Sequence, residues 1–188
     1  ARGLGGKSST DVVSSSANIT IRSAQLLDTT ANSLSTMSTS GTVSILPAGN
    51  NFTGDVQTQF NVASGDFVFG NLATINSAST TIKISGDVTA DGTITVAGNA
   101  ITVDKGYDLI STRTGSTLML KAKQWIDIDN ATTTLTQTND ADFSIIQSNN
   151  ADIVFWSDAD ANQEGLVWIA HNTRVNSANG VYSYGAVS

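Results

Sequence analysis

No cysteine occurs among the 188 residues, so the chain has neither a disulfide framework nor a thiolate metal site. Proline occurs once, at Pro47. That scarcity suits a fold whose backbone N–H groups are needed for sheet ladders. Glutamate also occurs once, at Glu164, and leucine, lysine and arginine are thinly spread. The shortage of strong helix formers argues against a helical fold. No apolar run approaches about 18 residues, so no membrane-spanning helix and no membrane insertion are expected. Nine Lys plus Arg, unclustered, stand against sixteen Asp plus Glu, for a net charge of −7. Such a chain is a poor partner for nucleic acid or anionic lipid. The only histidine is His171, and with no Ser/His/Asp order nucleophilic catalysis has no support. No enzyme activity is expected, and no catalytic or cofactor-binding residue is assigned.

What the chain does have is 39% apolar residues, regularly placed among Ser, Thr, Asn, Gly and Ala. This composition fits many short strands joined by small polar turns. A strand-like segment returns about every 24 residues, with reference residues Ile19, Val43, Phe67, Ile94, Leu118, Phe143 and Leu166 in steps of 24, 24, 27, 24, 25 and 23. A second set lies at Leu26, Phe52, Ile75, Ile101, Ile126, Ile153 and Val175, and a third around Leu34, Phe60, Ile82, Leu109 and Leu135. Segments such as Ile82-Lys83-Ile84 and Ile126-Asp127-Ile128 alternate apolar and polar, which marks one buried and one solvated face.

A fixed period in this range signals a repeat architecture. Three short strands per repeat describe one coil of a parallel β-helix. The expected fold class is all-β: a single-stranded parallel β-helix, or β-solenoid, of about seven coils with a period of about 24 residues. It would span residues 11–188, after a flexible Gly-rich arm or linker at residues 1–10. Coils stacked about 4.8 Å apart would share one apolar core. The long step from Phe67 to Ile94 predicts an extra loop near residues 85–92. A β-sandwich is the other all-β reading, but it gives no reason for the 24-residue period. Hairpin-type steps occur only at Asp91-Gly92 and Asn179-Gly180. No capping helix is visible at either end, so open strand edges are expected to meet neighbouring domains or further subunits.

The densest acidic segment is Trp156–Gly165. Asp158, Asp160 and Asn162 place oxygen ligands at alternate positions, as at the start of a Ca²⁺ loop. Gln163 stands where that loop takes Gly, and Ile169 stands where a bidentate Glu would close it. A solvated turn is the other reading, so Ca²⁺ is the one candidate ion and these three residues its candidate ligands. Asp127/Asp129 and Asp140/Asp142 are further acid pairs. Asp127 and Asp129 share one strand face, and Lys121, Lys123 and Arg113 are expected near it, which could serve an acidic polysaccharide. Thr132–Thr136 and Thr80-Thr81 invite an ice-binding reading, but Thr does not keep one register through the coils. Asn18, Asn51 and Asn130 head N-x-[ST] sequons, which chance supplies in such a composition. Aromatic residues gather late, at Trp125, Phe143, Phe155, Trp156 and Trp168. Phe155 and Trp156 must face opposite ways on a strand, one to the core and the other either a bulky cap or filler or an exposed platform for sugars or a subunit contact.

The segment Ala151-Asp152-Ile153-Val154-Phe155-Trp156-Ser157-Asp158-Ala159-Asp160 resembles a recurring element of filamentous-haemagglutinin-like bacterial surface proteins. In that family a strand of this kind is followed by an acidic, Gly-bearing turn, another strand and an Asn-Thr…Asn-Gly ending. Here Leu166–Ile169 and Asn172-Thr173…Asn179-Gly180 follow in that order. Gly92–Val103 is similar to the family's coils, and the resemblance covers roughly residues 80–180. The turn departs from the family at Ala161-Asn162-Gln163-Glu164. The resemblance implies an exported protein, extracellular or at the cell surface, serving adhesion, surface layers or aggregation without catalytic residues. The leading expectation is thus a non-enzymatic structural β-solenoid, an adhesin stalk or self-associating filament subunit. Its partners would be other copies end to end, or neighbouring domains of a larger surface protein. The alternative is a polysaccharide-binding or polysaccharide-cleaving β-helix, which would use long loop insertions that this chain almost lacks.

Overall fold

The computed structural model describes residues 12–13, 17–24, 35–49, 56–70, 75, 78, 81–128, 143–170 and 173–184. The arm at 1–10, His171, Asp129, Asp140, Asp142, Thr80, Thr132–Thr136, Asn51, Asn130, Leu26, Leu34, Phe52 and Leu135 lie outside the described residues. Fifteen strands and no α-helix are present among the described residues. Every strand pair is parallel. The chain is therefore all-β with parallel sheet, which is compatible with a β-helix.

The registers sort the strands into three columns. The first joins β2 (Ile19–Ser23), the end of β3 (Ser35–Pro47), the end of β4 (Val56–Phe69), β6 (Ile94–Gly98), β9 (Leu118–Ala122), β12 (Ile153–Trp156) and β15 (Val181–Tyr184). Along it Ile19, Val43, Phe67, Ile94, Leu118, Ile153 and Val181 pair in sequence. The second column joins the start of β4, the start of β5 (Thr81–Ala90), β7 (Ala100–Val103), β10 (Trp125–Ile128) and β13 (Leu166–Ile169). The third joins the middle of β4, the end of β5, β8 (Leu109–Ser111), β11 (Ser144–Gln147) and β14 (Thr173–Asn176); the start of β3 and β1 (Val12–Val13) lie below it. We call one level of the stack a rung.

Inward positions are mostly apolar on every column, with buried Ser111 and Ser144 as polar exceptions on the third. Val43, Ile45, Phe67, Phe69, Ile94, Val96, Leu118, Leu120, Ile153 and Phe155 are fully buried on the first. Ile82, Ile84, Ile101, Val103, Ile126 and Ile128 do the same on the second, and Val88, Leu109 and Ile146 on the third. All belong to one continuous core cluster. β-branched and aromatic side chains fill a pleated, half-buried surface well, which is why Ile and Val dominate these positions. Each such side chain contributes about 1.5–3 kcal/mol on burial.

Two expectations change. The first column does not continue every 24 residues. After Leu118 its next members are Ile153 and Val181, so the last steps are 35 and 28. The segment at Phe143 belongs to the third column and that at Leu166 to the second. Likewise Ile82 moves to the second column, Ile153 to the first and Val175 to the third. The physical cause is the extra chain between β10 and β11 and the nine residues 157–165 between β12 and β13; between β9 and β10 there are two. In/out alternation has period two on every column, so it cannot tell one column from another. The extra residues expected near 85–92 are there in part, as a bulge and not a loop: β5 runs through to Ala90, but between the Thr58–Ile84 and Phe60–Val88 pairs it carries two more residues than β4. The step from Phe67 to Ile94 is lengthened also after Gly70, where φ is 86° and a Cβ would collide with the Ala97 carbonyl.

Phe67 stacks at 6.2 Å from Phe69 in the core. Phe67→Ala is expected to cost about 3–5 kcal/mol of unfolding free energy, whereas exposed Thr20→Ala should change it by under about 0.5 kcal/mol. Urea midpoints at unchanged m-value measure both.

Candidate functional site

The polar chemistry of the chain concentrates at the corners between columns. Where the backbone turns, one ladder bond is passed to a side chain. Asn18 Oδ1 accepts the Thr42 N–H at 3.0 Å, and Asp66 Oδ1 accepts the Thr93 N–H at 2.9 Å. Asp87 Oδ1 accepts the Asp108 N–H at 3.1 Å, and Asp108 Oδ1 accepts the Ile145 N–H at 2.8 Å. In each case the acceptor immediately precedes the first inward residue of its strand, and its donor holds the matching position one rung up. Asn and Asp are suited to this because a short side-chain oxygen reaches a nearby N–H. Asp152, just before Ile153, accepts instead from Asn179 Nδ2 at 2.8 Å. The motif was present in the sequence as Asn or Asp before Ile, Phe, Val or Leu, and sequence reasoning missed it. It also missed a buried serine series on the third column. Ser111 Oγ donates to the Gly92 carbonyl at 2.8 Å, and Ser148 Oγ donates to the Ala151 carbonyl at 2.6 Å.

The acidic turn is a nine-residue connection at the corner between the first two columns, where the level below has two residues. Asp158, Ala161 and Gln163 hold φ of 57°, 58° and 69°, a left-handed conformation costly for residues with a Cβ. Gln163 thus adopts the backbone that a Ca²⁺ loop assigns to Gly. The oxygens serve the turn itself, however. Asp158 Oδ1 accepts the Gln163 N–H at 3.0 Å, and Asn162 Oδ1 accepts the Glu164 N–H at 2.9 Å. Asp160 Oδ2 lies 3.7 Å from Lys123 Nζ, while its Oδ1 is buried without a hydrogen-bond partner. A cation at Asp158, Asp160 and Asn162 would have to displace that ammonium. Among the described residues no three His, Cys, Asp or Glu are grouped to hold a metal ion.

Among the described residues the expected acid-and-cation face is not assembled. Asp127 points outward on the second column, between Thr102 and Trp168. Lys121 points outward on the first, with Nζ 3.7 Å from the Trp156 ring centre. Lys123 sits at the corner with Asp160. Arg113 lies at another corner, 2.7 Å from Asp66 and 3.6 Å from Asp91. The corner at Lys123-Gln124 turns the chain between Lys121 and Asp127, which period-two reasoning along one strand could not foresee. Asn18 is spent on its corner bond.

Phe155 is core and Trp156 is outward, as alternation required. Trp156 is nonetheless not a free platform. Lys121 covers it from the rung below, and Tyr184 packs from the rung above with ring centres 6.1 Å apart. The large exposed apolar residues lie late in the chain. They are Trp125 and Trp156, then Leu166, Trp168, Ile169, Val181, Tyr182 and Tyr184 on the last strands of the second and first columns. Trp168 is 61% exposed and Leu166 56%.

The chain matches no family model, no curated protein and no solved structure.

Burial raises the Asp127 carboxyl above its ordinary value. Burial also raises Asp108, with the Ile145 N–H acting the other way and the Asp87 charge adding to the rise. A carboxyl raised in the fold is penalised when ionised, so the penalty is full above its folded value and vanishes below the unfolded one. Asp127→Asn should therefore melt higher than wild type at pH 7, with the difference closing as pH falls toward 4; thermal melts across pH measure this. At the corner, Asp66→Ala should cost about 1–3 kcal/mol by orphaning the Thr93 N–H, and Asp66→Asn clearly less because it keeps an acceptor. Urea unfolding compares the two.

Proposed function

We propose that this chain is a single-stranded parallel β-helix of about seven coils, built as a stiff non-enzymatic rod. Its role is that of an adhesin stalk or surface filament subunit, extracellular or at the cell surface, as in filamentous-haemagglutinin-like proteins. The observation that carries the reading is the first column: seven segments in unbroken parallel register from Ile19 to Val181. Such a stack transmits force along its axis through every rung, and its surface is small, polar and acidic. Its charge suits a solvated surface. The partners of a rod of this kind are other copies or neighbouring domains that continue its strands.

A second reading draws on one face. Trp125, Trp168 and the desolvated Asp127 lie outward on the second column, where indoles and a hydrogen-bond acceptor could meet a polysaccharide. Binding on a glycan array that is lost in Trp168→Ala would favour it. Absence of both binding and reducing-sugar release would sink it.

Seven rungs about 4.8 Å apart make a rod about 30–35 Å long. Small-angle scattering should give a monomer of uniform cross-section and about that length. A flattened, sandwich-like shape would overturn the rod.

A further inference from the structure

The end of the stack carries an unusual surface. Among the described residues, β13, β14 and β15 each pair on one side only, to β10, β11 and β12. Their outer edges therefore present unpaired strand groups, which template pairing with another chain. The inward positions there are uncovered as well. Val181, which continues the buried series ending in Ile153, is 50% exposed, and Ile169, above buried Ile128, is 39% exposed. At the other end β2 pairs only with β3 among the described residues, and Ile19 and Ile21 are half-buried.

We propose that the last rung docks head to tail onto the first rung of a second copy of this chain, continuing the first column in register. This rests on the rod reading above. The polarity follows from the strands. Two last rungs facing each other across a two-fold axis would run antiparallel and break the three-column layout. Translation along the axis instead brings the free edge of β2 onto the free edge of β15, as between all interior rungs. With the register kept, Val181 meets Ile19 of the second copy, Tyr182 meets Thr20, Ser183 meets Ile21 and Tyr184 meets Arg22.

The last of these pairs gives the choice of partner its chemistry. Inside the stack, outward Lys121 lies over Trp156 at 3.7 Å, and Tyr184 covers the other side of Trp156 at 6.1 Å. Tyr184 is itself 52% exposed, with no rung above it among the described residues. Arg22 occupies the same column position on the first strand, exposed, with one long hydrogen bond from Nη1 to the Pro47 carbonyl at 3.4 Å. Stacking the next copy places this guanidinium against the Tyr184 ring, so the Lys121–Trp156–Tyr184 series ends in a second cation. Arginine is well suited to lie on an aromatic face. Ile19 and Ile21 would cover the uncovered inward positions at the same time.

Sedimentation velocity of the full chain over a concentration series tests this. Wild type should form species beyond the dimer that grow with concentration. Val181→Lys closes the last rung and Ile19→Lys the first, so each alone should stay monomeric. A 1:1 mixture should give a heterodimer and stop there, since only one compatible junction remains. Should either variant fail to show a wild-type circular dichroism spectrum, Tyr184→Ala and Arg22→Ala replace them. Each should weaken association roughly five- to tenfold, and the double variant no more than the stronger single one. Dimerisation of Ile19→Lys by itself would show that last rungs meet each other, and would overturn the proposal. So would wild type that is monomeric at every concentration. If that monomer is still a rod by scattering, only the end-to-end contact falls; if it is not, the rod reading falls with it.

Discussion

A parallel strand can be satisfied only by strands above and below it, and this constraint organises the whole molecule. Parallel partners cannot be supplied by a tight hairpin, so the chain must travel around before it returns to the same column. It does so by way of two further columns, and each return buries another layer of Ile, Val, Leu or Phe on the last. Stability in such a stack is close to a sum of rung terms and contacts between neighbouring rungs. The core needs no disulfide because the same interface recurs at each level.

The corners explain the composition. A backbone that bends between columns tilts an N–H out of the ladder, and an Asn or Asp one level below catches it. Part of the chain's negative charge is thus structural rather than a mark of an acidic ligand site. Arg113 offsets some of it by bridging Asp66 and Asp91. At the acidic turn the same chemistry folds back on itself, with Asp158 and Asn162 accepting from Gln163 and Glu164. The tendency of these side chains to bond local N–H groups describes both settings.

Much of this was legible in the sequence, and the limits are instructive. Alternation in Ile82-Lys83-Ile84 and Ile126-Asp127-Ile128 announced strands and their inward faces, and the 24-residue return announced repetition. Column identity was legible only while the connections stayed short. Beyond Leu118 the period breaks, and Phe143 and Leu166 land on columns other than the one the spacing assigned. The grouping of Asp127 with Lys121 and Lys123 failed for a related reason, because a two-residue corner sends neighbours in sequence to different faces. The pairing of Lys121 with Trp156 spans 35 residues and depends on the register itself, so no local pattern could reveal it.

The register after Leu118 therefore carries the account, and the absence of native cysteine allows it to be read directly. In the structure outward Met119 and Val154 are neighbours on adjacent rungs, and strands about 4.8 Å apart lie within the Cα span of a disulfide. Cysteines at Met119 and Val154 should cross-link under mild oxidation within the monomer, while cysteines at Met119 and Ser144 should not. Efficient cross-linking of the Met119–Ser144 pair with none at Met119–Val154 would contradict the three-column stack.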